Sequence, residues 1–407
     1  MGAFERVREL VESIARTGIR KRGVTRFALT EHDAAARAII ADEMRSIGMS
    51  VEMDSACNLW GCLEGETDEP GVVIGSHADS VPEGGDYDGV LGVCSGLGVA
   101  REIASRGKPK RPLYVVDFTA EESSRFSVAC VGSKAATGNL SIMDAISHRD
   151  RDGVSIFRAM RDFGGTPEFM PRDVIAPGQF SSYFELHIEQ GPTLCESGES
   201  VGIVEAIAAP TRFMIEVIGE QAHSGACPMS LRHDALTAAA RIILAAERAG
   251  VAESEFGTVA TVGVCECFPG ALNVVPGRVL LKADIRGIVG KSIRRACSEL
   301  MSSVEKVSAE RGVKCNVTQL CAEEPVALDG ILARRIEDVC KEKKISYRRM
   351  PSGAGHDAMF MATLIPSALI FVPCVKGVSH SPDEEIEWEK VAPGFEVLLS
   401  AVAKSLE

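Results

Sequence analysis

Five stretches of this chain each offer histidine or carboxylate: Gly75-Ser-His77-Ala-Asp79, Asp86-Tyr-Asp88-Gly89, Ala120-Glu121-Glu122, Glu185-Leu-His187-Ile-Glu189 and Gly377-Val-Ser-His380. Imidazole and carboxylate are ligands for divalent transition metals. Together they offer five ligands and one spare glutamate, which is what a two-metal hydrolase needs. Singly, each stretch has a plainer explanation. His77 with Asp79 is a loop histidine beside a solvated acid. Asp88 among glycines is a surface turn. Glu121-Glu122 is a helix start that favours acids. Residues 185–189 are a half-exposed strand. Their joint occurrence favours chemistry, because the chain has only eight histidines and most stand beside Gly, Ser or Asp in predicted loops.

Local spacing adds detail. Asp79 is near enough in sequence to hold the free ring nitrogen of a metal-bound His77. Glu121 and Glu122 end an apolar strand, so both cannot point into the core; one binding metal while the other acts as general base is the expected division. Strand alternation puts Glu185, His187 and Glu189 on one face. Pro351-Ser-Gly-Ala-Gly-His356-Asp357 is a further Gly/Ser-rich loop carrying a histidine.

Elements must deliver these residues to one place. Helices are expected over Phe4–Gly18, over 30–48 with Thr30 as N-cap, and over Gly92–Arg106. Strands are expected at Met49–Met53, Asn58–Glu64, from Val72 and from Leu113. This strand–loop–helix–strand grammar is that of a doubly wound α/β domain, whose sites lie beyond the carboxyl ends of strands. His77 and Glu121 fall there. From about Thr211 the texture changes to β-α-β-β-α-β, ending near Leu320, the order of a ferredoxin-like insert. Ile331–Lys344 then resumes a helix and Ala368–Val372 a buried strand. The expected division is therefore 1–207 plus 323–407 around an insert of 208–322.

Composition narrows the class. A chain of 407 residues exceeds one ordinary core. Its hydrophobic content of 45% with 25% charged residues is that of a soluble globular protein. A formal charge of -13 without a basic stripe argues against nucleic acid and anionic membrane surfaces as partners. No apolar run reaches the ~20 residues of a membrane span. The N-terminus has no apolar signal region, and a cytoplasmic location is expected. Thirteen cysteines, an odd number scattered through apolar runs, read as free thiols in a reducing compartment. Cys265-Glu-Cys267 has no second pair at zinc-finger spacing.

The runs GSHADSVPEGGDYDGVLGV, EESSRF, ELHIEQGPTL, QAHSGACPM, NVVPG, ADIR, SGAGHDAMFMA and VSHSPDE, in that order, resemble the hydantoinase/carbamoylase branch of the M20 amidohydrolases. The resemblance implies an α/β fold: a mixed-sheet zinc-hydrolase catalytic domain with an inserted ferredoxin-like α+β domain that acts as lid and dimerises. It implies two divalent ions per subunit, zinc first, with manganese, cobalt or nickel as alternatives. His77, Asp88 and His187 would hold one ion, and Asp88, Glu122 and His380 the other. Glu121 would be the general base, Asp79 would orient His77, and His223 would stabilise the oxyanion, often from the partner subunit of a homodimer. Gln190, His223, Asn273 and Arg286 would touch substrate, with Gly353, Ala354 and His356 lining the pocket. His187 is similar to the carbamoylase branch, where peptidase relatives often have a carboxylate. Cys195 and Cys227 depart from the family pattern near the presumed pocket.

The implied reaction is cleavage of the carbamoyl C–N bond of N-carbamoyl-L-amino acids, small ureido substrates bearing a carboxylate. Allantoate or another ureido acid is the nearest alternative, and an aminoacylase or dipeptidase a further one. A metal-free cysteine hydrolase using Cys94 or Cys374, or a nucleotide site at Gly89-Val-Leu-Gly-Val-Cys-Ser-Gly, belongs to another class. That glycine run lacks GxGxxG spacing and follows a loop, not a strand.

Overall fold

Four apolar runs, Gly71–His77, Leu113–Phe118, Phe180–Ile188 and Ser367–Val372, are almost continuously buried. Runs without polar alternation belong to parallel strands covered on both faces. In the computed structural model, which describes residues 2–407, they are parallel neighbours in the order 367–372, 180–188, 71–77, 113–118. Leu59–Leu63 and Ser50–Met53 extend one side antiparallel, and Val201–Ile207 adds antiparallel to Ser367–Val372 on the other. The result is a large mixed sheet in an α/β unit.

Val72, Ile74, Val115, Phe184, Leu186, Ile370 and Val372 share one core with the helices Ala3–Ile14, Glu31–Ile47, Val90–Arg106, Gly330–Lys343 and Trp388–Leu406. A fully buried aliphatic side chain such as Ile74 contributes about 1.5–3 kcal/mol to this packing. Gly92 lets the helix Val90–Arg106 lie directly on the sheet, since a Cβ there would meet the Leu186 carbonyl at 2.5 Å. Thr30 holds the N-cap position of Glu31–Ile47 but does not cap it with its side chain. Its hydroxyl donates back to the Phe27 carbonyl, while Asp33 accepts from the Leu29 N–H.

The second unit is Ala206–Val326, set between the chain up to Glu205 and Ala327–Glu407. The expected joints at 207/208 and 322/323 shift to 205/206 and 326/327. Glu323 still bonds Pro210 of the second unit through its N–H, which carries that unit beyond 322. Its strands Val259–Phe268, Arg278–Gly287, Ala209–Ile218 and Lys314–Ala322 form an antiparallel sheet in that spatial order. With the helices Ala235–Ala252 and Gly290–Arg311 the chain order is β-α-β-β-α-β. Every second residue of Ala209–Ile218 is buried, the alternation of a sheet packed on one face only. Ile215, Val217, Leu281 and Ile285 meet Ile242 and Leu300 of the helices there. The thirteen cysteines are free thiols. Among the described residues no helix is long and apolar enough to cross a membrane.

Candidate metal centre

The four parallel strands of the first unit end side by side, and the chemical residues sit at those ends. His77 closes its strand, and His187 is the next-to-last residue of the strand Phe180–Ile188. Glu121 and Glu122 follow Leu113–Phe118 within four residues, and His380 lies in the loop after Ser367–Val372. Two three-donor groups result: His77, Asp88 and His187, and Asp88, Glu122 and His380, each with its donor atoms within 4.8 Å of one another. Asp88 belongs to both. Its Oδ1 lies 3.1 Å from His187 Nε2 and 3.8 Å from His77 Nε2. Its Oδ2 lies 3.2 Å from His380 Nε2, which is also 3.2 Å from Glu122 Oε1. Glu121 stands outside both groups, with Oε2 3.8 Å from His77 Nε2.

Backbone carbonyls fix the two strand histidines. His77 Nδ1 meets the Asp79 carbonyl at 3.1 Å and its carboxylate at 3.6 Å, and His187 Nδ1 meets the Ile188 carbonyl at 2.9 Å. Their Nε2 atoms are thereby turned toward Asp88. Gly89, the next residue, has a positive φ of 69° and no room for a Cβ, which would collide with the His77 ring. Only glycine lets Asp88 come this close.

The expectation that Glu121 and Glu122 cannot both face inward fails. Both are buried, and both carboxylates lie beside the histidines. The chain has left the strand there: Ala120 has a left-handed φ of 52°. Asp79 clasps the turn, accepting the N–H groups of Glu121 at 3.0 Å and Glu122 at 3.2 Å.

The charges fit a cation site. The ion-pair partners of Asp88, Glu121 and Glu122 here are histidines, not lysine or arginine. Buried carboxylates without a permanent cation are costly. Metal–ligand bonds of about 2.0–2.2 Å put donors around one ion roughly 3–4 Å apart, and the Asp88–His77, Asp88–His187, Asp88–His380 and Glu122–His380 spacings fall in that range. The residues therefore fit two divalent cations sharing Asp88. Burial pushes the Asp88 carboxyl up, but the bonds from His187 and His380 outweigh it and hold it well below the usual range. Bonds to Asp88 and Glu122 raise His380 to about 11. Burial, together with the charges of Glu122 and Asp357 and against that of His77, lifts Glu121 well above an ordinary glutamate.

Around this centre the expected residues divide. Gln190, at a left-handed φ of 59°, donates from Nε2 to Asp88 Oδ2 at 2.8 Å, and the same atom lies 3.3 Å from His380 Nε2. His356 is buried; its ring meets that of His187 edge-on at 4.6 Å, and its Nε2 pairs with Ser352 Oγ at 3.0 Å. Ser352 Oγ bonds both the N–H and the carbonyl of Ala354, which shapes the loop through Gly353. Glu185, His187 and His356 form a third three-donor group. Glu185 already accepts from Ser76 Oγ, Tyr183 OH and the Ala358 N–H, which hold it against the neighbouring strand and helix. Glu189 does not join Glu185 and His187 as alternation predicts. The strand stops at Ile188, and Glu189 turns to accept the N–H groups of Thr193 and Leu194 at the start of the helix Thr193–Ser197.

His223, Asn273 and Arg286 belong to the second unit. The short strand Ala222–His223 pairs with Val274–Val275, and Ser224 N–H bonds the Asn273 carbonyl, so His223 and Asn273 are neighbours and exposed. Arg286 lies near the other end of the strand Arg278–Gly287, with Nε and an Nη on Asp284 at 2.8 and 3.0 Å. At ~3.3 Å per residue, the stretch from Arg278 to Arg286 alone covers about 26 Å. Sequence reasoning missed Cys130, whose Sγ lies 3.3 Å from Glu121 Oε1, and the pair Ser379 and Glu384. Glu384 stands in the acidic run Asp383-Glu384-Glu385, which reads as a solvated turn.

The model of Peptidase family M20/M25/M40 matches residues 73–404. The chain is 38% identical to an N-carbamoyl-L-amino acid amidohydrolase of Geobacillus stearothermophilus, over 93% of each protein. It is 34% identical to an allantoate amidohydrolase of Bacillus subtilis, over 94% of this chain and 92% of that one. A crystal structure of an amidase of the hydantoinase/carbamoylase family from Burkholderia multivorans superimposes with a TM-score of 0.90 at 34% identity, covering 98% of this chain and 97% of that one.

Proposed function

The chain belongs to peptidase family M20/M25/M40, in its hydantoinase/carbamoylase branch, and is a hydrolase of amide or ureido bonds; we propose that it cleaves the ureido C–N bond of N-carbamoyl-L-amino acids. The carrying observation is Asp88 shared by two three-donor groups, with Glu121 beside them but in neither. Two bound cations, zinc in the first instance, would activate water and offset the charge that develops on the ureido oxygen.

The protein's own groups carry the remaining steps. Glu121, in neither donor group and beside His77, takes a proton from the attacking water and returns it to the leaving nitrogen. Amino acid, carbon dioxide and ammonia leave. Asp79 keeps Glu121 and Glu122 in register through their backbone N–H groups. Gln190 and the loop of Gly353, Ala354 and His356 line the substrate side. Arg286 pairs with the substrate carboxylate, competing with Asp284 for its fork of donors. His223 and Asn273 contribute at the ureido oxygen.

His223 and Arg286 stand too far apart in one chain to touch one amino-acid-sized molecule, which favours a homodimer in which they come from different subunits. Leu244 and Val251 on the helix Ala235–Ala252 and Val259 on the edge strand are exposed apolar residues suited to that interface. The second unit would then be both lid and dimerisation domain. Mass measurement in solution tests this, and a monomer with full activity would refute it.

Allantoate is the second reading, supported by the B. subtilis relative. Turnover on a panel of N-carbamoyl-L-amino acids and allantoate separates the two: a clear kcat/KM preference for allantoate would overturn the first. Glu121→Gln should lower kcat by about 10²–10⁴-fold with both ions retained. Undiminished turnover would remove Glu121 from its role.

A further inference from the structure

We propose that Glu384 is a positioning residue that ties the loop of Asp88 to the loop of His380 and so sets the affinity of the Asp88–Glu122–His380 position for its cation. The inference rests on the two-cation reading above.

Glu384 is buried, at 7% exposure, although its sequence neighbours are those of a surface turn. Its Oε1 accepts the backbone N–H of Tyr87 at 3.0 Å and of Asp88 at 3.1 Å. Its Oε2 takes Ser379 Oγ at 2.8 Å, and that hydroxyl also stands 3.0 Å from Asp88 Oδ2. One carboxylate thus bridges segments nearly 300 residues apart in sequence, one carrying the shared ligand and one carrying its most exposed partner. Gly85 is part of the fit, because a Cβ there would collide with the Glu384 carboxylate.

The two positions differ in how far they need this tie. His77 and His187 are held by strand pairing, and their side chains are 2% and 1% exposed. His380 is in a loop, at a left-handed φ of 53°, with its side chain 50% exposed. Lys376 and Gly377 just before it are left-handed too. Ordering such a loop costs conformational entropy. The bond from neighbouring Ser379 to Glu384 meets that cost before a cation arrives. Partners behind metal ligands typically change affinity about 10–100-fold when removed.

The test uses the full chain, stripped of metal and titrated with Zn²⁺ in a calorimeter; the visible absorbance of Co²⁺ serves as a second report on coordination. Wild type should show two binding steps, and the step absent from His380→Ala identifies the position in question. Glu384→Ala should weaken that step about 10–100-fold and the other step, which shares Asp88, by clearly less. Glu384→Gln should restore most of the affinity, because its amide oxygen still accepts from Tyr87 and Asp88 and its amide nitrogen donates to Ser379 Oγ. Ser379→Ala cuts the tie from the His380 side only, should weaken the same step, and decides the matter if Glu384→Ala fails to fold. Equal weakening of both steps, or no change in either, overturns the role of Glu384. A wild type that takes up one ion overturns the two-cation reading and this inference with it.

Discussion

His77 and His187 reach the centre from inside a buried parallel sheet, whereas Glu122 and His380 reach it from a clasped turn and a loop with three consecutive or near-consecutive left-handed positions. The strand histidines are fixed by the same hydrogen bonds and packing that make the core. The two loop residues are held by single carboxylates: Asp79 under Glu122, and Glu384 on Ser379 beside His380. One half of the centre therefore comes with the fold, and the other depends on a few polar contacts that substitution can remove without touching the core.

Asp88 spans both halves, so Asp88→Ala should have the largest effect, abolishing turnover and both metal-binding steps together. Elemental analysis showing one ion retained would contradict the sharing. Next comes the direct contrast. His187→Ala removes a fully buried ring and should lower both metal content and thermal stability, by about 1–3 kcal/mol. His380→Ala should lose one ion with an unfolding midpoint within experimental error of wild type. Equal destabilisation by the two would erase the distinction between strand and loop ligands.

Glu189→Ala probes the seam between them, because Glu189 follows the His187 strand and caps the next short helix. A loss of about 1 kcal/mol by chemical denaturation is expected, with a modest fall in kcat through the adjacent Gln190. An unaltered denaturation midpoint would remove the capping role. The smallest effect should be Glu337→Gln, outside both halves. Lys341, Arg349 and Tyr347 hold this half-buried carboxylate down to about 2. A depressed carboxyl stabilises the fold above its unfolded pKa of about 4.5 and loses that contribution as pH falls toward 2. The variant should differ slightly from wild type near neutrality, converge with it near pH 2, and leave both metal steps alone. A changed metal step would mean that the centre is coupled to distant surface charge.

Helices and strands were legible because period and composition are local: the buried strands from Val72, Leu113 and Ala368, the small-residue helix after Gly89 and the β-α-β-β-α-β order all appear in the sequence, whereas residues 185–189 read as an alternating strand and Phe180–Ile188 is buried almost throughout. The misreadings share one cause. Glu189 fits strand alternation until the chain turns at Gln190, and Glu121 with Glu122 reads as one-in, one-out until Ala120 takes a left-handed φ. Both errors lie where backbone direction is set by a distant carboxylate or a turn, not by neighbours in sequence. Thr30 has the residue type of a cap, yet a nearer carbonyl claims its hydroxyl.

By itself the sequence determined that apolar strands beginning at Val72, Leu113 and Ala368 would be buried, and that histidines and acids would stand beside strand ends. Burial of apolar surface is decided by composition and periodicity, which any stretch of chain carries within itself. The tertiary structure decided which oxygens face which ring nitrogens, that Asp88 lies between both groups, and that Glu384 is interior. Those outcomes depend on distances of a few ångströms between residues hundreds of positions apart, and such distances exist only once the sheet has assembled and the loops have closed over its edge.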